Sequence, residues 1–211
     1  MGHIVESVLQ RQGIPLECAT VDVCSVPDEV ARECVCIDFS TPAAFRANYP
    51  ELARKFKAVV VGTTGWYDIK DEVFAAFEAA GKPLVWASNF SIGVNAYFAA
   101  VERACEVLKG HGYTPAVEEI HHIHKLDAPS GTAKSVGAII ADTLGVTPEI
   151  TSQRIGEVPG THIATFSSGV DKLTFTHEAF SREGFAEGAV AAALLTEGLE
   201  GGAYEFKDLI L

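Results

Sequence analysis

Ala58-Val59-Val60-Val61-Gly62-Thr63-Thr64-Gly65 decides the fold. A short, unbroken apolar run that ends in a glycine- and threonine-rich turn reads as a strand buried on both faces. The same grammar recurs on either side. Upstream, Val35 to Phe39 is a second apolar run, followed by Ser40-Thr41-Pro42, a cap and a proline suited to a helix start. Downstream, Leu84 to Ala87 runs into Ser88-Asn89-Phe90-Ser91-Ile92-Gly93-Val94-Asn95. Helical spacing of Val73, Phe77 and Ala80, closed by Gly81, lies between two of these runs. Nearer the start, Ile4, Val8 and Leu9 give a helix stopped by Gly13, and Leu16 to Val23 reads as a further short strand. Alternating strands and helices of this kind predict an α/β unit with a parallel sheet covered on both sides. In such sheets, loops at the carboxyl ends of the strands bind cofactors.

Beyond residue 92 the pattern changes. Val94 to Leu108 predicts a long helix, Val117 to Ile120 a strand, and Gly131 to Leu144 another helix. Ile163 to Ser167 and Leu173 to His177 read as antiparallel strands, the second alternating Leu173 and Phe175 with Thr174 and Thr176. Phe185 to Leu195 is helical and rich in small residues. The fold class expected is therefore α/β: a Rossmann-like doubly wound parallel sheet plus an α+β domain. The division places residues 1–92 in the first domain, completed by 182–211, and residues 93–181 in the second domain.

Composition narrows the function. The chain has 211 residues, 48% hydrophobic and 21% charged, as an ordered globular protein does. A formal net charge of −12 argues against nucleic acid or an anionic membrane as partner. Positive charge gathers in one place, at His121, His122, His124 and Lys125. No run approaches the roughly 18 apolar residues of a membrane span. The N-terminus shows no signal peptide, so a cytoplasmic location is expected. Cys18, Cys24, Cys34, Cys36 and Cys105 form no C-x-x-C, and their apolar surroundings suit reduced, buried thiols.

The chemistry concentrates in Glu118 to Ala133. Ser130-Gly131-Thr132 opens a helix, whose free N–H groups can hold a carboxylate, although a plain helix cap is the simpler reading of that string alone. Three histidines and a lysine just before it can carry a proton or an anion. A zinc site is the rival reading. It would need a further ligand, with Cys105 or His177 as unmotivated candidates, so no metal is expected. Asp22 follows Gly2 by about 20 residues, the spacing of an acidic residue that binds an adenosine ribose. The next residue is Val23 rather than a cation, which leans toward NADH over NADPH.

Glu119-Ile120-His121-His122-Ile123-His124-Lys125-Leu126-Asp127-Ala128-Pro129-Ser130-Gly131-Thr132-Ala133 resembles the signature E-x-H-H-x-x-K-x-D-A-P-S-G-T-A of the dihydrodipicolinate reductase (4-hydroxy-tetrahydrodipicolinate reductase) family. Gly62 to Gly65, Asn89 to Asn95 and the segment Ser181 to Ala189 are similar to other parts of that family, so the likeness spans nearly the whole chain. The resemblance implies an NAD(P)H-dependent reduction of 4-hydroxy-tetrahydrodipicolinate, via dihydrodipicolinate, to tetrahydrodipicolinate in lysine and diaminopimelate biosynthesis. It implies His121 and Lys125 as catalytic, and His122, Gly131 and Thr132 as holders of the substrate carboxylates. For the cofactor it implies Asp22, Gly62, Thr63, Thr64, Ser88, Asn89, Phe90 and Ser91. It also implies a small dicarboxylate imine as substrate, 1–92 with 182–211 as the dinucleotide-binding domain, and 93–181 as the substrate-binding and oligomerisation domain through whose sheet a homotetramer forms. The family opens with a strand and a glycine-rich turn, whereas Met1-Gly2 stands here where that turn would finish. The expectation is a sheet lacking its first strand, with the true start upstream preferred over a cofactor-impaired, non-catalytic relative. A Rossmann dehydrogenase for another small acid is the remaining alternative.

Overall fold

A computed structural model describes residues 1–211, the side chain of Cys24 excepted. The chain divides into two compact units, Met1–Ile92 with Glu183–Leu211, and Gly93–Arg182.

The first unit contains helices α1 (Gly2–Gln12), α2 (Asp28–Ala31), α3 (Pro42–Lys55), α4 (Lys70–Ala80), α7 (Glu183–Leu195) and α8 (Phe206–Ile210). Its strands are β1 (Val35–Asp38), β2 (Ala58–Val61), β3 (Pro83–Trp86) and β8 (Gly202–Glu205), in the order β1-β2-β3-β8 and all parallel. The alternation within β2 explains the two covered faces. Val59 and Val61 pack with Phe45 and Leu52 of α3 and Val73 and Phe77 of α4. Val60 packs on the other side with Val85, Phe90, Ala189, Ala192 and Phe206. Local signals set the helix ends. Thr41 accepts from the Ala44 N–H at the start of α3, and Gly13 and Gly81 stop α1 and α4 in the left-handed conformation that glycine adopts without strain.

Leu16 to Val23 is not a strand. Residues 14–20 carry no regular structure, Leu16 and Val21 are exposed, and a short 3₁₀ turn occupies Val23–Ser25. A β-prone run becomes a strand only where a neighbour accepts its ladder, and the sheet ends at β1. Cys18 is likewise exposed rather than buried, while Cys105 sits in the core.

The second unit contains helices α5 (Ile92–Leu108, its first residue in the other unit) and α6 (Gly131–Leu144) and strands β4 (Thr114–His121), β5 (Glu149–Arg154), β6 (Gly160–Ser167) and β7 (Lys172–Ala179). The sheet order is β5-β4-β6-β7, with β4 parallel to β5 and antiparallel to β6. One face buries Val117, Ala164 and Phe166 against Tyr97, Val101 and Cys105 of α5 and Val136 and Ile140 of α6. The opposite face, with Thr151, Glu118, Ile163 and Thr176 in register across four strands, stays partly or fully exposed. No helix among the described residues is long and apolar enough to cross a membrane.

Candidate active site

Strand β4 alternates exposed and buried positions, so Pro115, Val117, Glu119 and His121 share the inner face. The first two are core. The last two carry the same face into polar territory at the strand's end. Register then supplies their neighbours. Glu119 lies opposite His162 of β6, which lies opposite His177 of β7, and His121 lies opposite Arg154 of β5. Glu119, His121 and His162 are each at least nine-tenths buried.

Glu119 is the hub. One carboxylate oxygen accepts from the Ser130 N–H and from the Arg154 guanidinium, each at 3.1 Å. The other lies 2.9 Å from Nδ1 of His121, without the alignment of a full hydrogen bond. Burial alone would raise the Glu119 carboxyl, but hydrogen bonds from Ser130, Ser152 and Arg154 more than offset it and hold it at about 2. Glu119 is therefore a buried anion near neutral pH, stabilised by groups already in place. His121 is lowered from its ordinary value by burial, against which the Glu119 charge pulls upward. Lys125, Arg154 and His122 add to the lowering. Burial takes His162 down to about 4 and also lowers His177. Glycine at 160 keeps β6 close, since a Cβ there would come within 3.0 Å of His121 Nε2.

The segment after β4 is tied back by Arg154. Its Nη2 donates to the Asp127 carbonyl at 2.6 Å and its Nε to the Lys125 carbonyl at 3.3 Å. Lys125 pairs with Asp127 at 2.8 Å. His122 follows the strand end, its ring 5.9 Å from that of His124, which pairs with Glu157. Ser130 caps α6 by accepting from the Ala133 N–H, and its hydroxyl lies 3.2 Å from Nε2 of His162. Gly131 and Thr132 occupy the first turn, where backbone N–H groups have no partner within the helix. His121, His122, Lys125, Gly131 and Thr132 thus belong to one continuous strand end, loop and helix start.

The expected cofactor residues lie in the first unit. The loops after β1, β2 and β3 leave the same edge of the parallel sheet. Thr63 turns inward and donates to Asp38 at 2.5 Å, while Trp66 Nε1 donates to the Thr63 carbonyl. Gly62 has no room for a side chain, because a Cβ would sit 2.0 Å from the Phe39 ring. Thr64 and Ser88 are exposed and Gly62 and Asn89 half-buried, with Asn89 accepting from the Ser91 N–H. Phe90 is core, its ring 5.0 Å from Phe206. Asp22 lies on the irregular segment before the 3₁₀ turn and accepts there from Ser25. Exposed Thr64 and Ser88 and half-buried Asn89 stand at the parallel sheet's carboxyl edge, where open α/β sheets bind their ligands.

Among the described residues, one group of three ionisable side chains could share a metal ion: Glu119, His121 and His162, with donor atoms within 4.8 Å of one another. The Arg154 guanidinium already bonds Glu119, and its charge opposes a second cation there. The sequence assigns no role to Glu119, Arg154, Gly160 or His162, and names His177 only as an unmotivated zinc ligand. Glu119 heads the family signature, and a carboxylate two residues before a histidine on a strand signals a shared face with His121.

The profile described as dihydrodipicolinate reductase, N-terminus, matches residues 4–90, and that for the C-terminus of the same enzyme matches residues 93–210. Two relatives are both named 4-hydroxy-tetrahydrodipicolinate reductase. The one from Xylella fastidiosa (strain M12) is 37% identical over 177 residues, covering 84% of this chain and 73% of its own. That from Christiangramia forsetii is 39% identical over 172 residues, covering 75% and 72%. Among solved structures, the dipicolinate-bound dihydrodipicolinate reductase from Paenisporosarcina sp. TG-14 superposes with a TM-score of 0.70 at 21% identity, covering 82% of this chain and 72% of its own. Diaminopimelate dehydrogenase of C. glutamicum gives 0.56 at 14% identity, with 99% and 92% covered.

Proposed function

The chain belongs to the dihydrodipicolinate reductase family, and from that membership we propose that it reduces 4-hydroxy-tetrahydrodipicolinate, by way of dihydrodipicolinate, to tetrahydrodipicolinate. The observation that carries this reading is the run from the buried Glu119–His121 pair, through Lys125, to the Ser130-capped start of α6. It combines a proton carrier, a cation and an anion-binding helix start within one short segment of an acidic protein.

When bound, a nicotinamide cofactor supplies the hydride, and the chain supplies position, charge and a proton. The free N–H groups of Gly131 and Thr132, with His122, hold the substrate carboxylates. His121 delivers a proton through Nε2, the ring nitrogen turned away from Glu119. Lys125 exchanges its Asp127 partner for the anionic substrate and balances charge on the ring. Gly62, Thr63, Thr64 and Ser88 to Ser91 receive the nicotinamide end. Asp22 receives the adenosine ribose, and the lack of a following cation favours NADH. The partly exposed sheet face bearing Thr151, Glu118, Ile163 and Thr176 suits assembly into a homotetramer, and the acidic chain suits the cytoplasm.

The test is oxidation of NADH and NADPH by the full chain with 4-hydroxy-tetrahydrodipicolinate, and competition by pyridine-2,6-dicarboxylate. Substitution of His121 by Gln lowers kcat by roughly 100-fold or more while leaving NADH affinity intact. A chain that binds neither nucleotide nor dicarboxylate overturns the reading. Binding of dicarboxylate without either nucleotide favours a cofactor-impaired relative.

A further inference from the structure

We propose that Glu119 is the positioning residue for His121, fixing which ring nitrogen carries the proton and steadying the charged imidazole. This rests on the reading of His121 as proton donor.

The geometry is specific on both sides of the carboxylate. One oxygen is committed to Ser130 and Arg154 at 3.1 Å each, so the group is clamped from the loop and from β5. The second oxygen has no aligned partner and sits 2.9 Å from Nδ1 of His121, which is itself buried with no aligned partner. A buried imidazole nitrogen beside a buried anion takes the proton, because neither group has water to turn to. Nε2 is then the lone-pair nitrogen of the neutral ring and the donating nitrogen of the charged one. A small rotation of His121 aligns Nδ1–H with the carboxylate, and that alignment strengthens as the ring becomes charged. The groups facing this pair are Arg154 from β5, Lys125 and His122 from the loop, and His162 from β6, with His177 of β7 beyond it. Tyr97 of α5 packs on His177, and α6 presents Ser130. Glu119 is thus the anion of the cluster in contact with the ring, and the other facing charges disfavour an imidazolium.

Glu119→Gln keeps the shape and removes the charge. The expected result is a kcat about tenfold or more lower, a part of the roughly 10²- to 10⁴-fold that general acid catalysis contributes. KM and NADH affinity change less than about twofold, since a residue that acts only in the chemical step leaves ground-state binding alone. The alkaline limb of the kcat profile moves to lower pH, because the charged ring has lost its anion. Glu119→Asp, which keeps the charge, restores the limb in part. Nitrogen-15 spectra of the unsubstituted protein show His121 neutral with its proton on Nδ1. If Glu119→Gln fails to fold, these spectra decide alone, and a proton on Nε2 overturns the proposal. An unchanged limb and kcat in Glu119→Gln overturn it too, provided His121→Gln is slow. Stoichiometric zinc in the purified protein, lost with activity on chelation, also overturns it, since Glu119 and His121 would then be ligands. Full turnover by His121→Gln instead removes the proton-donor reading on which the proposal stands.

Discussion

Replacing His162 by glutamine tests whether the second unit is built around a row of neutral imidazoles. His162 is 5% exposed, and burial, helped by its histidine neighbours, takes it from 6.5 to about 4. The folded value lies below the unfolded one. Between these limits the unfolded chain therefore binds a proton that the folded chain refuses, and stability falls as pH falls. The contribution is fully present above about pH 6.5 and is lost by about pH 4. At about 1.36 kcal/mol per pH unit the whole window is worth roughly 3 kcal/mol, and the step from about pH 7 to pH 5 roughly 2 kcal/mol. His121 and His177 are lowered by the same cause and steepen the slope. Glu119, held at about 2 against its ordinary 4.5, acts only at lower pH, so the two effects separate. Urea unfolding followed by far-ultraviolet circular dichroism reads the loss. Trp66 and Trp86, both in the first unit, report that unit separately by fluorescence. The His162→Gln variant keeps a side chain able to face Ser130 and gives a curve shallower by about one proton. A wild-type protein equally stable at pH 7 and pH 5, or a variant with the wild-type slope, refutes the reasoning.

Two further substitutions test packing, one in each unit. A Cβ on Gly188 of α7 would lie 1.7 Å from the Phe90 carbonyl oxygen, and backbone cannot yield as a side-chain tip can. Gly188→Ala therefore lowers the stability of the first unit by about 3 kcal/mol, the upper part of the overpacking range, measured through Trp66 and Trp86 fluorescence in urea, and it weakens NADH binding through the displaced Phe90 loop. Ser130→Ala removes the cap at Ala133 and the hydroxyl facing buried His162. About 1 kcal/mol for each gives a loss of roughly 2 kcal/mol in the second unit, read by circular dichroism in urea, together with weaker pyridine-2,6-dicarboxylate binding in calorimetry.

What the sequence made legible was whatever local physics determines. The apolar runs of β1, β2 and β3, the Thr41 and Ser130 caps, and the glycine stops at Gly13 and Gly81 all act within a few residues of themselves, and all are where the reading put them. The Glu119 to Ala133 signature was legible for the same reason. Partnership across strands was not. Period-two alternation places Glu119 and His121 on one face, but not which strand lies beside them, so Arg154 and His162 stayed invisible until the register was known. Strand β5 escaped because Glu149-Ile150-Thr151-Ser152-Gln153-Arg154 has one apolar residue and lies at a sheet edge. Leu16 to Val23 failed in the opposite sense, having strand-like residues and no neighbour to pair with. The same missing partnership explains why Asp22 is not on a strand end.

The register also explains why this site sits where it does. Along β4 the inner face passes from buried Pro115 and the core residue Val117 to Glu119 and His121, buried as a polar cluster. An ionised carboxylate with no exposed surface would cost several kcal/mol if left unpaired. It is tolerated because Ser130 and Arg154 satisfy it, and both also shape the segment from Lys125 to the start of α6, Ser130 as its cap and Arg154 as tie to the Lys125 and Asp127 carbonyls. The groups that make the buried anion affordable are thus the groups that set the geometry around His121. It follows that an apolar residue at 119 cannot be a neutral repair: it would take from the Arg154 guanidinium its carboxylate partner and from the buried Ser130 N–H its acceptor in one change. Stability and catalysis in this unit therefore fall together when the hub is altered, whereas Glu119→Gln, which keeps the shape and a carbonyl for Ser130 and Arg154, pulls them apart.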